Sequence, residues 1–100
     1  MTVIEEHITD INSLCVKYNV KQLFAFGSAL TEKFNNESDI DLIVNFEPID
    51  TVQYADNYYD FKFSLEDVFK KPVDLLEEKA IKNPYFREGI DKQRQLIYGH

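Results

Sequence analysis

Residues 26–44 read FGSALTEKFNNESDIDLIV, and the fold turns on how this stretch is divided. Phe26 closes a short apolar run, KQLFAF, which Gly27-Ser28 breaks; the pattern predicts a buried strand entering a turn. ALTEKFNNE is polar and short, a helical turn and a loop. SDIDLIVNF then alternates, placing Ile40, Leu42, Val44 and Phe46 on one side, and Pro48 ends this second strand. Residues two apart in a strand share a face. Asp39 and Asp41 therefore project together, away from the apolar row, with Cα atoms about 6–7 Å apart at a rise of about 3.3 Å per residue. Asp is disfavoured in strands, so two in succession on one face need a reason. Two like charges this close raise one pKa unless something neutralises them, and Mg²⁺ does so with few protein ligands.

Outward from this stretch the chain alternates helix and strand. Ile4, Ile8, Ile11, Cys15 and Tyr18 step by four, three, four and three, an amphipathic helix that Asn19 ends. Residues 51–70 carry a longer helix with Tyr54, Tyr58, Phe61, Leu65 and Val68 on its apolar side. KPVDLLEE is a third strand entered through Pro72, with Glu77 and Glu78 as solvated charges of the following turn. NPYFREGIDKQRQLIY predicts a last helix capped by Asn83, with Pro84 at its first position and Phe86, Ile90 and Ile97 buried. The order helix, strand, short helix, strand, helix, strand, helix implies an α+β domain of α/β-like character, a small mixed sheet packed with helices. No linker interrupts it, so residues 1–100 are expected to form one domain.

Composition narrows the function. Of the 100 residues 44% are hydrophobic and 29% charged, a globular balance. No apolar run is long enough for a membrane span, and MTVIEEHITD lacks the pattern of a signal peptide. A lone Cys15 on an apolar stripe fits a reduced, cytoplasmic protein. The formal net charge of −7 argues against gripping long nucleic acid through its phosphates. It leaves room for a phosphorylated small ligand bridged by metal, or for a basic protein partner. His7 has no His/Cys cluster around it and reads as a surface residue.

Gly27-Ser28 alone would be an ordinary turn. Ahead of a helix, however, glycine lets backbone N–H groups approach a phosphate, and a serine hydroxyl adds a donor. Together, Gly27-Ser28, ten residues, then Asp39-Ile40-Asp41 match the nucleotidyltransferase signature of the DNA polymerase beta superfamily. By average residue frequencies a chain this short would carry that pattern by chance on the order of one time in a thousand. In size and layout the chain resembles the minimal nucleotidyltransferases, antitoxin-type partners of HEPN-domain toxins. The resemblance runs from the leading helix through FGS, SDIDLIV and KPVDLL to LIYGH.

The resemblance implies a Mg²⁺-dependent transfer of AMP from ATP to a hydroxyl of a protein partner, a tyrosine of a HEPN-type ribonuclease toxin, silencing it. It implies that Asp39, Asp41 and Asp74 hold two Mg²⁺ ions and are catalytic, and that Gly27 and Ser28 bind the nucleotide phosphates. A module of the same fold that neutralises its partner by contact alone is the alternative, and a homo- or hetero-oligomer is compatible with either. Thr31 stands where many relatives carry an arginine; Arg87, Lys92 and Arg94 are further phosphate candidates, set against a plain solvated helix face. Val52, Ala55, Tyr59 and Phe63 form a second apolar line on the middle helix, either covered by a neighbouring helix or left as a protein-binding face.

Overall fold

The computed structural model describes residues 3–26 and 40–99. In chain order the elements are α1 (Val3–Glu6), α2 (Ile8–Lys17), β1 (Val20–Phe26), β2 (Ile40–Phe46), α3 (Thr51–Phe69), β3 (Val73–Glu77), a 3₁₀ turn (Glu78–Ala80), α4 (Pro84–Gln93) and β4 (Gln95–Tyr98). The strands form one mixed sheet in the order β3-β2-β1-β4. β1 runs antiparallel to β2 and to β4, whereas β2 and β3 are parallel. The α+β expectation is met, and the 19-residue α3 supplies the crossover that a parallel pair requires.

Local chemistry sets the element ends. Asn19 takes a left-handed φ of 61° just past α2, the conformation that asparagine tolerates at a helix C-terminus. The Asp50 side chain accepts from the Val52 N–H at the start of α3. Asn83 accepts from the N–H groups of Tyr85 and Phe86, with Pro84 behind it, as the sequence predicts.

The sheet is buried on both faces. On one, Leu23, Ala25, Ile40, Leu42, Val44, Val73 and Leu75 pack against Ile11 and Cys15 of α2 and Phe61, Leu65 and Phe69 of α3. On the other, Phe24 and Ile43 are covered by Ile90 of α4, with Phe26, Leu76 and Ile81 around them.

Three sequence expectations change. The last helix does not reach Tyr98: it ends at Gln93, Arg94 turns to an extended conformation, and Gln95–Tyr98 pair with the free edge of β1. Ile97 is consequently half-buried from a strand, and Phe86 stays exposed. The first helix divides at His7, whose ring stands edge-on to Phe69, and Ile8 falls on the solvent side. On β2, the face carrying Asp41 also carries Ile43, which is fully buried under α4. The helical turn expected in 29–37 lies outside the described residues.

Cys15 sits in the main core with no exposed surface, and burial pushes its thiol up to about 12. Iodoacetamide at about pH 8 should therefore leave the native protein unmodified. The same reagent in denaturant should add one carbamidomethyl group per chain, read by intact mass.

Candidate active site

β2 and β3 begin side by side, and their parallel register pairs Asp41 with Asp74. Neighbouring strands lie about 4.8 Å apart, so the two carboxylates leave the sheet from adjacent backbone positions on one face. The antiparallel register on the other side of β2 pairs Asp41 with Phe26. Asp74, Asp41 and Phe26 thus form one row across three strands, and Leu76, Ile43 and Phe24 form the next row on that face. Ile90 packs into the second row; the acids begin where the apolar foot of α4 ends.

Of the residues singled out by sequence, Asp41 and Asp74 come together here, Asp41 half-buried and Asp74 exposed. Gly27, Ser28 and Asp39 lie outside the described residues, as does Thr31. Phe26 is the residue immediately before Gly27, and Ile40 stands between Asp39 and Asp41, so the chain enters and leaves that segment at this row. The donor set suits a hard divalent cation: carboxylate oxygens on adjacent strands, with no thiolate or imidazole among the residues paired across that row.

Arg87, Arg94 and Glu78 depart from their sequence reading. Glu78 is no solvated charge, since its side chain is only 13% exposed and takes a salt bridge from each of Arg87 and Arg94 at 3.0 and 2.6 Å. Asn45 donates to it as well, and Gln22 accepts from the same amide. The Arg94 guanidinium also lies over the Phe24 ring at 4.3 Å. Both arginines are therefore engaged in tying α4 to the strands rather than presented to a phosphate. Burial alone would push the Glu78 carboxyl up, but the hydrogen bond and charge of Arg94, the amide of Asn45 and the charge of Arg87 together hold it below its ordinary value. Glu77, also read as solvated, ends β3 on the α3 side, with a buried carboxylate oxygen that has no hydrogen-bond partner among the described residues. Sequence gave no sign of these contacts, because they join residues up to 33 positions apart.

With this geometry in place, the comparisons with known proteins agree. A family model described as polymerase beta nucleotidyltransferase matches residues 9–100. A Methanocaldococcus jannaschii protein, provisionally named a protein adenylyltransferase, is 35% identical over 82% of this chain and 79% of its own length. Among solved structures, one described provisionally as a minimal nucleotidyltransferase superposes with a TM-score of 0.75 at 25% identity, covering 95% of both chains. A chain from the complex of tri-AMPylated Shewanella oneidensis HEPN toxin with MNT antitoxin shares the fold, with a TM-score of 0.65 at 17% identity over 96% of this chain and 72% of that one. The fold is that of a nucleotidyltransferase. The chain belongs to the polymerase beta nucleotidyltransferase family. Among the described residues no helix is long and apolar enough to cross a membrane.

The ion cluster makes a pH prediction. Glu78 titrates lower in the folded chain than in the unfolded one. Its contribution is complete above its ordinary value of 4.5 and is lost as the pH falls through the lower folded value. Urea unfolding of Glu78→Gln should show a loss of about 1–3 kcal/mol at neutral pH. The difference from the wild type should shrink as the pH falls through the lower folded value, where the native carboxylate too becomes protonated.

Proposed function

We propose that this protein is a cytoplasmic, divalent-metal-dependent adenylyltransferase that moves AMP from ATP to a hydroxyl of a protein partner, a tyrosine of a HEPN-type toxin, and so acts as an antitoxin. The observation that carries the proposal is the parallel register that sets Asp41 beside Asp74 on one face. Asp39 precedes Asp41 by two residues and completes a set of three acids on the sequence reading. In the same reading Gly27 and Ser28 hold the triphosphate, residues 1–100 act as one domain, and the three acids hold two Mg²⁺ ions.

The chemistry asks the protein for positioning and charge neutralisation. The acceptor oxygen forms a bond to the α-phosphorus, the bond from that phosphorus to the α,β-bridging oxygen breaks, and pyrophosphate leaves with the electron pair. The hydroxyl proton passes to a carboxylate, for which Asp74 is suited by its exposure on the edge strand. Bound metal would supply charge neutralisation at the phosphates and a lowered pKa for the attacking hydroxyl. Asp41→Asn and Asp74→Asn should each lower AMP transfer at least a hundredfold while leaving thermal unfolding near that of the wild type. Intact mass of the HEPN-type partner, incubated with ATP and Mg²⁺, reads the result. An unchanged partner mass with wild-type protein would sink the proposal.

The outer side of α3 supports a protein partner. No other element covers its second apolar line among the described residues: Val52, Tyr59 and Phe63 are 85%, 51% and 55% exposed. Tyr59 stacks on Phe63, so the surface presents an ordered aromatic ridge. Asp56, Asp60 and Asp67, all exposed, run along its flank at helical spacing. An apolar ridge with an acidic border fits a helical partner whose apolar anchors are bordered by Lys and Arg. Tyr59→Ser with Phe63→Ser should weaken the complex with the HEPN-type toxin at least tenfold by titration calorimetry, without lowering the melting temperature. Unaltered affinity would place the partner elsewhere.

A further inference from the structure

The row of acids continues into a hollow whose residues no part of the proposed transfer uses. Phe26 stands directly across the ladder from Asp41, and directly opposed side chains in an antiparallel pair have Cβ atoms about 4.5–5.5 Å apart. On its far side Phe26 opens onto a hollow of about 270 Å³, lined further by Tyr85, Phe86, Gly89, Ile90 and Gln93 of α4. We propose that this hollow, beside the paired acids, seats the purine base of the nucleotide substrate. The inference rests on the adenylyltransferase reading above and adds to it the residues that would choose the base.

Three features point to a flat aromatic ligand. Size is the first, since the hollow lies just under the roughly 300–1,000 Å³ of pockets for drug-sized ligands and suits one ring system better than a whole nucleotide. The second is the aromatic lining. Tyr85 is 85% exposed and Phe86 also presents its ring to solvent, at the two positions that begin α4 after its proline. Exposed aromatic rings lose little by stacking on a base and gain by it. The third is Gly89. It lies inside α4, where glycine costs about 1 kcal/mol relative to alanine, and a Cβ built on it would meet nothing within 4 Å. No packing contact therefore demands glycine there. Its missing side chain instead deepens the hollow between Tyr85 and Gln93, which lie one turn to either side of it. The Gln93 amide brings a donor and an acceptor together, the pair that the N1 and N6 edge of adenine takes up.

The placement agrees with the chemistry. Phosphates held near Gly27-Ser28 and the acids would leave the base to lie beyond Phe26, the residue next to that glycine. α4 is held there by Ile90 in the sheet and by the Glu78 clamp on Arg87 and Arg94, so the hollow has a fixed wall.

The test compares ATP, GTP and inorganic tripolyphosphate, each with Mg²⁺, by titration calorimetry on the intact protein. Wild-type protein should bind ATP at least tenfold more tightly than tripolyphosphate. Tyr85→Ser with Phe86→Ser, both exposed, should erase that preference and leave tripolyphosphate binding unchanged. Gly89→Leu should do the same by filling the hollow while raising the melting temperature, which separates blocked binding from failed folding. Gln93→Leu should narrow the gap between ATP and GTP. An ATP preference kept in both the aromatic and the Gly89 variants overturns the proposal. If wild-type protein binds neither ATP nor tripolyphosphate, the adenylyltransferase reading itself fails and takes this one with it.

Discussion

Between Ile40 and Val44, β2 is hydrogen-bonded antiparallel to β1 on one side and parallel to β3 on the other. Its residues are buried from both faces: Leu42 and Val44 under α2 and α3, Ile43 under α4. A strand held in this way cannot slip by one residue, because a slip would turn every apolar side chain to the wrong face. The same restriction fixes Asp41. Leu42 and Ile43 must be buried on opposite faces, so Asp41 must leave the sheet on the α4 side, next to Asp74 and Phe26. Packing of the core and placement of the acids are two consequences of one register.

The second constraint is the fastening of α4. A ten-residue helix with one fully committed apolar side chain, Ile90, has little area with which to hold itself to the sheet. The Glu78 cluster makes up part of the difference. Two guanidinium groups from α4 and its C-cap converge on one carboxylate at the end of β3, and Asn45 of β2 ties the same carboxylate to the sheet. Arg94, Arg87 and Asn45 together satisfy this carboxylate and offset the cost of its burial, the regime in which such a pair stabilises. The following strand, β4, then pins the end of the helix by pairing with β1. Gly99, at a positive φ of 97°, lets the backbone pass close to the Lys21 carbonyl without a side-chain clash.

Much of this was legible in the sequence for physical reasons. Period-two alternation in SDIDLIVNF located β2, and the i, i+2 rule put Asp39 and Asp41 on one face. Asn83-Pro84 announced the start of α4 because capping chemistry is local. QLIY was read as helix for an equally definite reason. Four residues are too few for a period to declare itself, and what makes them a strand is the vacant edge of β1, which lies some seventy positions earlier. The pairing of Asp41 with Asp74 could be anticipated only through the family resemblance, since no local pattern reports a parallel register across a nineteen-residue crossover. Arg87 and Arg94 looked available because their partner, Glu78, looked like part of a solvated turn.

The two faces of the sheet therefore divide the work. The α2–α3 face holds the larger core and sends its surplus apolar residues outward, to the Tyr59–Phe63 ridge. Among the described residues the α4 face holds a small core of three buried residues, beside the acid row and the hollow next to it. A larger core there would need bulk where Asp41, Asp74 and Gly89 stand. Stability on that face is carried instead by Glu78 and its two arginines, which lie at the other end of β3 from Asp74. Charge thus appears at both ends of this short edge strand: Glu78 is satisfied by arginine where it holds the fold, and Asp74 stands beside Asp41 at the strand's start.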